Sequence, residues 1–140
     1  MFAIATTDLR WHEWFRNHPP AAIVNFWTPT PWNVKGLNPG DRLYFMMKAP
    51  VRKIGGYGTF VRYVDMTASE AWTAYGTANG VASRDELVRR IEGFAKKRSR
   101  DFVSTGNPLI GCIELSDVIT LDEDRSISSL TKAAIPFRTK

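Results

Sequence analysis

Among its 140 residues the chain has one cysteine, Cys112, and only two histidines, His12 and His18. A lone cysteine excludes an internal disulfide framework and any thiolate-rich zinc site, and Cys112 is expected to pack inside a strand. The two histidines flank no spacing of a zinc protease or an HNH metal site, so both read as surface imidazoles. Long apolar runs are missing too, and none approaches the roughly 20 residues a membrane-spanning helix needs. The opening "MFAIATTDLRW" lacks a basic region followed by an apolar stretch and a cleavage site, so no secretory signal is read and a soluble, cytoplasmic protein is expected. Neither a Gly-rich phosphate loop, a nucleophile elbow nor a Cys–His pair is present, which leaves little for catalysis. Acidic residues are the scarcer sign: 14 Asp and Glu face 19 Lys and Arg, for a net charge of +5. That balance favours an anionic partner, nucleic acid first.

What is there suits one domain with a real core, since 44% of the residues are hydrophobic in a chain of this length. Phe2 to Thr6 reads as a first strand, with Thr7 or Asp8 as the cap of a short helix that "NHPP" stops at Asn17 to Pro20. Leu9, Trp14 and Phe15 are expected to share a face of that helix. Ala21 to Phe26 is a short apolar run. "LNPGDRLYFMMK" gives a Pro-Gly turn and a central strand from Arg42 to Lys48, buried on both faces. "IGGYGTFVRYVDM" gives a second long strand whose glycines permit a bulge or a close approach by a ligand. Capping boxes at Thr67 with Glu70 and at Ser83 with Glu86 then announce helices, one from about Ala68 to Tyr75 and one carrying Leu87, Val88, Ile91 and Phe94. "LIGCIELSDVITL" returns to strand. The order predicts an α+β domain over residues 1–125, with a curved, mostly antiparallel sheet or open barrel and flanking helices. Residues 126–140 read as a tail, or the start of a linker to an effector domain.

"NFWTPTPW", "LNPGDRLYFMM" followed by "KIGGYGTFV", and the closing "IGCIELSDVITL", taken in that order, resemble the PUA-like superfamily. Within it they are most similar to EVE-type domains, including those fused to HNH endonucleases in modification-dependent restriction systems. "FWTP" at Phe26 to Pro29 also resembles the segment of YTH domains whose tryptophan helps cage a methylated base. The resemblance implies DNA recognition through a modified base, a methylated or hydroxymethylated cytosine flipped into an aromatic pocket, with Trp27 as a wall. It implies no catalysis by the domain itself, and leaves a standalone reader and the specificity domain of an HNH nuclease as alternatives.

A flipped base needs aromatic faces and polar groups aimed at its edge. Trp27 and Trp32 are the candidate walls, beside Phe26, while Trp11, Trp14 and Trp72 are assigned to the core. Asn25 is the candidate edge reader, ahead of Asp65, and Gly56 and Tyr57 could line the same pocket. Lys48, Arg52 and Lys53 of "KAPVRK", with Lys96, Lys97, Arg98 and Arg100 of "KKRSR", are candidate phosphate contacts. No cofactor or metal is expected; "DED" at Asp122 to Asp124 reads as a solvated turn. Two rivals stand beside this reading. A modified-RNA reader fits the same superfamily, and a small ASCH-like hydrolase acting on nucleoside derivatives would need Lys48 with Asp65 or Glu70.

Overall fold

The computed structural model describes residues 2–32, 36–48, 53–98, 101 and 103–121. The chain runs β1 (Phe2–Thr7), α1 (Leu9–Asn17), β2 (Ile23–Thr28), β3 (Arg42–Met47), β4 (Ile54–Thr67), α2 (Ala68–Tyr75), a 3-10 turn (Gly76–Asn79), α3 (Arg84–Arg98) and β5 (Leu109–Thr120). The strands form one sheet in the order β1-β3-β4-β5-β2. Only β1 with β3 is parallel; the other pairings are antiparallel. This is the α+β, curved-sheet class expected.

Local chemistry accounts for the boundaries. Asp8 caps α1 by accepting from the Trp11 amide at 3.2 Å. Thr67 and Glu70 form a full reciprocal capping box, and α2 occupies the expected span. At Ser83 the box is lopsided: its hydroxyl takes the Glu86 amide, but the Glu86 carboxylate reaches Ala82 instead. Before β3, Asn38-Pro39-Gly40-Asp41 closes a turn through the Asp41 amide and the Asn38 carbonyl at 2.9 Å, and Gly40 takes the positive φ of 96° such a turn requires.

Four sequence expectations change. The run Ala21 to Phe26 contributes the strand β2, which pairs with β5 from Ile23 opposite Ser116 to Thr28 opposite Gly111; Trp27 therefore sits in regular backbone. β3 alternates, burying Leu43, Phe45 and Met47 while Tyr44 and Met46 stay half-exposed, because only one of its faces meets the core. In α1 the buried side chains are Trp11, His12 and Phe15, whereas Leu9 is exposed. His12 is thus an interior residue, drawn in by Gly55, whose carbonyl lies 2.7 Å from Nε2. Since a carbonyl can only accept, Nε2 carries the hydrogen. His18 is the exposed imidazole, stacked on Trp14.

The core lies between the sheet and the helices, with Trp11 and Phe15 from α1, Ala68 and Ala71 from α2, and Leu87 and Ile91 from α3. Trp11 packs edge-on against Phe15, Phe26 and Phe45 with centroids 4.7 to 5.1 Å apart. Its indole N–H donates to the Asn25 carbonyl at 3.2 Å, satisfying an acceptor on the outer edge of β2. Among the described residues no helix is long and apolar enough to cross a membrane.

Candidate functional site

The sheet's two outermost strands, β1 and β2, meet at one cleft of about 400 Å³. Ala5 and Thr6 come from β1, Phe26 to Thr28 from β2, Pro29 to Trp32 from the loop beyond it, Asp8 and Trp11 from the start of α1, Lys48 from the end of β3, and Phe94 and Arg98 from the last turns of α3. A cavity of this size with mostly apolar walls and a few convergent polar groups is what a small planar ligand requires.

The walls are held by hydrogen bonds that face away from the cleft. Trp27 points to the opposite side of β2 from Phe26, toward the Phe94 ring 6.0 Å away, and its indole N–H is spent on the Asn79 carbonyl at 2.9 Å. Only its ring is left to offer. Trp32 is half-buried, and its amide donates to the Tyr63 hydroxyl, which in turn donates to Asp65, both at 2.6 Å. Thr28 bonds the Thr30 carbonyl, tightening the same loop. Burial, reinforced by the Asp65 carboxylate, pushes the Tyr63 phenol up to about 12, so it stays a donor throughout the ordinary pH range.

The rim is charged. Lys48 Nζ stands 4.2 Å from the centre of the Phe94 ring, a cation–π contact, and Arg98 adds a second cation. Asp8 is the one carboxylate lining the cleft; its Oδ2 serves the helix cap, and Oδ1 has no hydrogen bond among the described residues.

Of the sequence candidates, Phe26, Trp27, Trp32, Lys48 and Arg98 come together here, while the others are elsewhere. Asn25 is fully buried beneath the sheet, where its amide nitrogen meets Asn79 Oδ1 at 2.7 Å and Cys112 Sγ at 3.4 Å. It cannot read a ligand in the cleft. Burial pushes the Cys112 thiol up to about 11, consistent with a packing role. Gly56 and Tyr57 belong to the seam of β4 with its neighbours: a Cβ on Gly56 would come within 2.1 Å of the Ile119 carbonyl. The close approach that the glycines of this strand allow is by β5 at Gly56 and Gly58 and by His12 and Met47 at Gly55. Lys53 and Lys96 are exposed outside the cleft, Lys97 faces an adjacent groove, and Arg52 and Arg100 lie outside the described residues. Asp65 and Glu70, the carboxylates a lysine-assisted hydrolase would need, do not line the cleft; they bond Tyr63 and the Thr67 amide.

Sequence reasoning missed Asn79 and Phe94 as site-forming residues. Asn79, fully buried, donates to the carbonyls of Ala71 and Gly76 while holding Asn25 and Trp27, and so locks the 3-10 turn to β2. An asparagine just before Gly80 reads as a turn residue, and nothing local shows that it faces inward. A second buried polar group lies nearby, where Arg62 (2.9 Å) and Tyr75 (2.5 Å) converge on Glu114. Burial alone would raise that carboxyl, but the bonds from Arg62 and Tyr75 outweigh it and hold Glu114 below the usual carboxylate range.

No protein-family model matches the sequence, and no curated protein matches it. Solved structures do match by shape. The ASCH protein of Zymomonas mobilis superposes with a TM-score of 0.59 at 12% identity, over 99% of this chain and 82% of that one. Two single-residue variants of the same protein give 0.57 at 11% identity, over 99% and 83% of the two chains, and 0.55 at 10%, over 96% and 84%. The likeness is one of fold: this chain shares the α+β architecture of that ASCH protein.

Proposed function

We propose that the chain binds nucleic acid and takes one unpaired or extruded base into the cleft between Trp27 and Trp32, without a chemical step. The observation that carries this reading is the cleft itself, with aromatic walls fixed from behind and cations on its rim. Stacking between such faces contributes about 1 to 3 kcal/mol per base and accepts any base. Selection then falls to the rim. Asp8 replaces Asn25 as the edge reader, since a free carboxylate oxygen can accept from the amino group of cytosine. Lys48 and Arg98 line the same cleft, and their role in this reading is to hold the sugar-phosphate backbone beside the bound base. The narrower target, a methylated or hydroxymethylated cytosine in DNA read by an EVE-type domain of a restriction system, rests on the sequence resemblance alone.

The test is a titration at fixed salt with duplexes identical except for one unmodified, methylated or hydroxymethylated cytosine, alongside matched RNA. Tryptophan emission and anisotropy are followed together. Preferential binding of one modified duplex with quenching supports the full reading. Preference for RNA with quenching keeps the cleft and moves the target. Equal, salt-sensitive binding without quenching overturns the base-binding role.

A further inference from the structure

On the far side of Phe94 lies a second hollow, a groove of about 310 Å³ between α1 and α3, lined by Arg10, Glu86, Arg89, Arg90, Gly93, Phe94 and Lys97. Four cations face one carboxylate there. Glu86, Arg90, Gly93 and Lys97 follow one another at steps of four, three and four residues and so form one stripe of α3, Arg89 borders that stripe, and Arg10 meets it from α1. Glu86 is committed to Arg90 through Nη2, and Asp8 approaches Arg10 only to 3.9 Å. Arg89 and Lys97 have no salt bridge among the described residues.

Arg90 is the unusual member. Its side chain is only 9% exposed, Nη1 reaches the Gly80 carbonyl at 3.4 Å, and Nε, also buried, has no acceptor among the described residues. A buried guanidinium normally fills its donors, because each orphan forfeits a solvation shell without replacement. A half-satisfied arginine under three more cations makes a floor suited to an oxyanion, whose several acceptor oxygens can answer several donors at once.

We propose that this groove is a phosphate site, holding a backbone phosphodiester of the nucleic acid whose base occupies the neighbouring cleft. The inference rests on the base-binding reading for its ligand, and on its own residues for its chemistry. One phenyl ring separates the two hollows: Phe94 lines both, with Lys48 Nζ 4.2 Å and Lys97 Nζ 5.9 Å from its centre. A strand that buries a base on one side of that ring must carry its backbone across it. The groove offers positive charge where the backbone emerges.

The experiment compares the full chain with the Arg89→Ala/Lys97→Ala double variant, whose replaced side chains are exposed, so that folding is spared. Each is titrated over a range of salt with a short single strand and with the same strand carrying one abasic position. Expected is a loss of about tenfold in affinity and a salt slope reduced by about one to two, with tryptophan quenching at saturation by the intact strand unchanged. The abasic strand should suffer the same loss from the double variant. An unchanged affinity and slope would overturn the groove while leaving the cleft standing. Loss of slope with no quenching by any strand would overturn the cleft and keep the groove. Arg90→Lys, which retains charge but not the fork, should weaken binding in a folded protein; undiminished binding would remove Arg90 from the site.

Discussion

Among the described residues two aromatic groups carry a cation over a ring, and they differ in the room they leave beside it. On the outer face of β3 and β4, Phe2, Tyr44 and Tyr57 pack against each other at 5.6 Å, with the Arg42 guanidinium 4.4 Å above Tyr57 and bonded to the Tyr44 hydroxyl at 3.4 Å. At the cleft, Trp27 and Phe94 also pair, tilted with centroids 6.0 Å apart, yet with Trp32 they line a hollow of about 400 Å³, and the Trp27 indole N–H and the Trp32 amide are satisfied behind it. The first group consumes its own recognition surface. In the second, hydrogen bonds from behind fix the rings around an open hollow. Aromatic and basic composition is shared by both, so composition does not mark a site; what marks one is whether the rings enclose room for a ligand.

The sharpest way to break this contrast is Trp27→Ala. Truncating so large a side chain at 8% exposure should cost about 3 to 5 kcal/mol of stability and remove tryptophan quenching by any base, read by denaturant unfolding and titration. Retained quenching and stability would mean that Trp27 forms no wall. Asn79→Ala should cost about 2 to 3 kcal/mol, because it strips two carbonyls and the Asn25 amide of their partner at once. Its ligand affinity should fall as well, since the Asn79 backbone positions Trp27. Tyr63→Phe is milder, at about 1 kcal/mol, and it frees the Trp32 loop; faster amide exchange confined to residues near Trp32 is the signature to seek. On the outer face, Tyr57→Ala should leave ligand affinity within about 0.5 kcal/mol, and a larger loss would erase the distinction between the two groups.

Acid provides the last comparison, because α1 touches both regions, the cleft through Trp11 and the glycine segment of β4 through His12. Burial, opposed by the bond to the Gly55 carbonyl and aided by Arg16, holds the imidazole below its ordinary value of 6.5. The unfolded chain therefore takes up the proton first, and stability present above about pH 6.5 should decline as pH falls below it. A melting temperature that drops between about pH 7 and pH 5.5, with a shallower drop in His12→Gln, would confirm the sign.

Local signals carried most of the fold. The cap at Asp8, the box at Thr67 and Glu70, the Pro39-Gly40 turn and the strand-forming composition of β4 and β5 are written within a few residues of where they act. The pairing of β2 with β5 is not, for it joins residues more than eighty positions apart and its strand is masked by the prolines that follow. The same distance hid the fate of Asn25. Nothing near it foretells that Asn79 and Cys112 will enclose its amide, so a residue suited to reading a base became part of the interior. Glycines 55 and 56 announced that something approaches closely, but a missing side chain specifies room and not its occupant. That Trp27, Trp32, Lys48 and Arg98 line one cleft follows the aromatic and basic clustering in the sequence, although Trp27 reaches it from the regular backbone of β2.

The bond from the Trp11 indole to the Asn25 carbonyl also bears on how the protein lives in crowded solution. An outermost strand presents a row of unpaired backbone groups to which a strand of another molecule can add, the first step toward fibrils. By occupying one of those acceptors and laying an aromatic ring along the border, α1 makes β2 a poor template for such growth, and the tryptophan at the centre of the core doubles as a guard against aggregation.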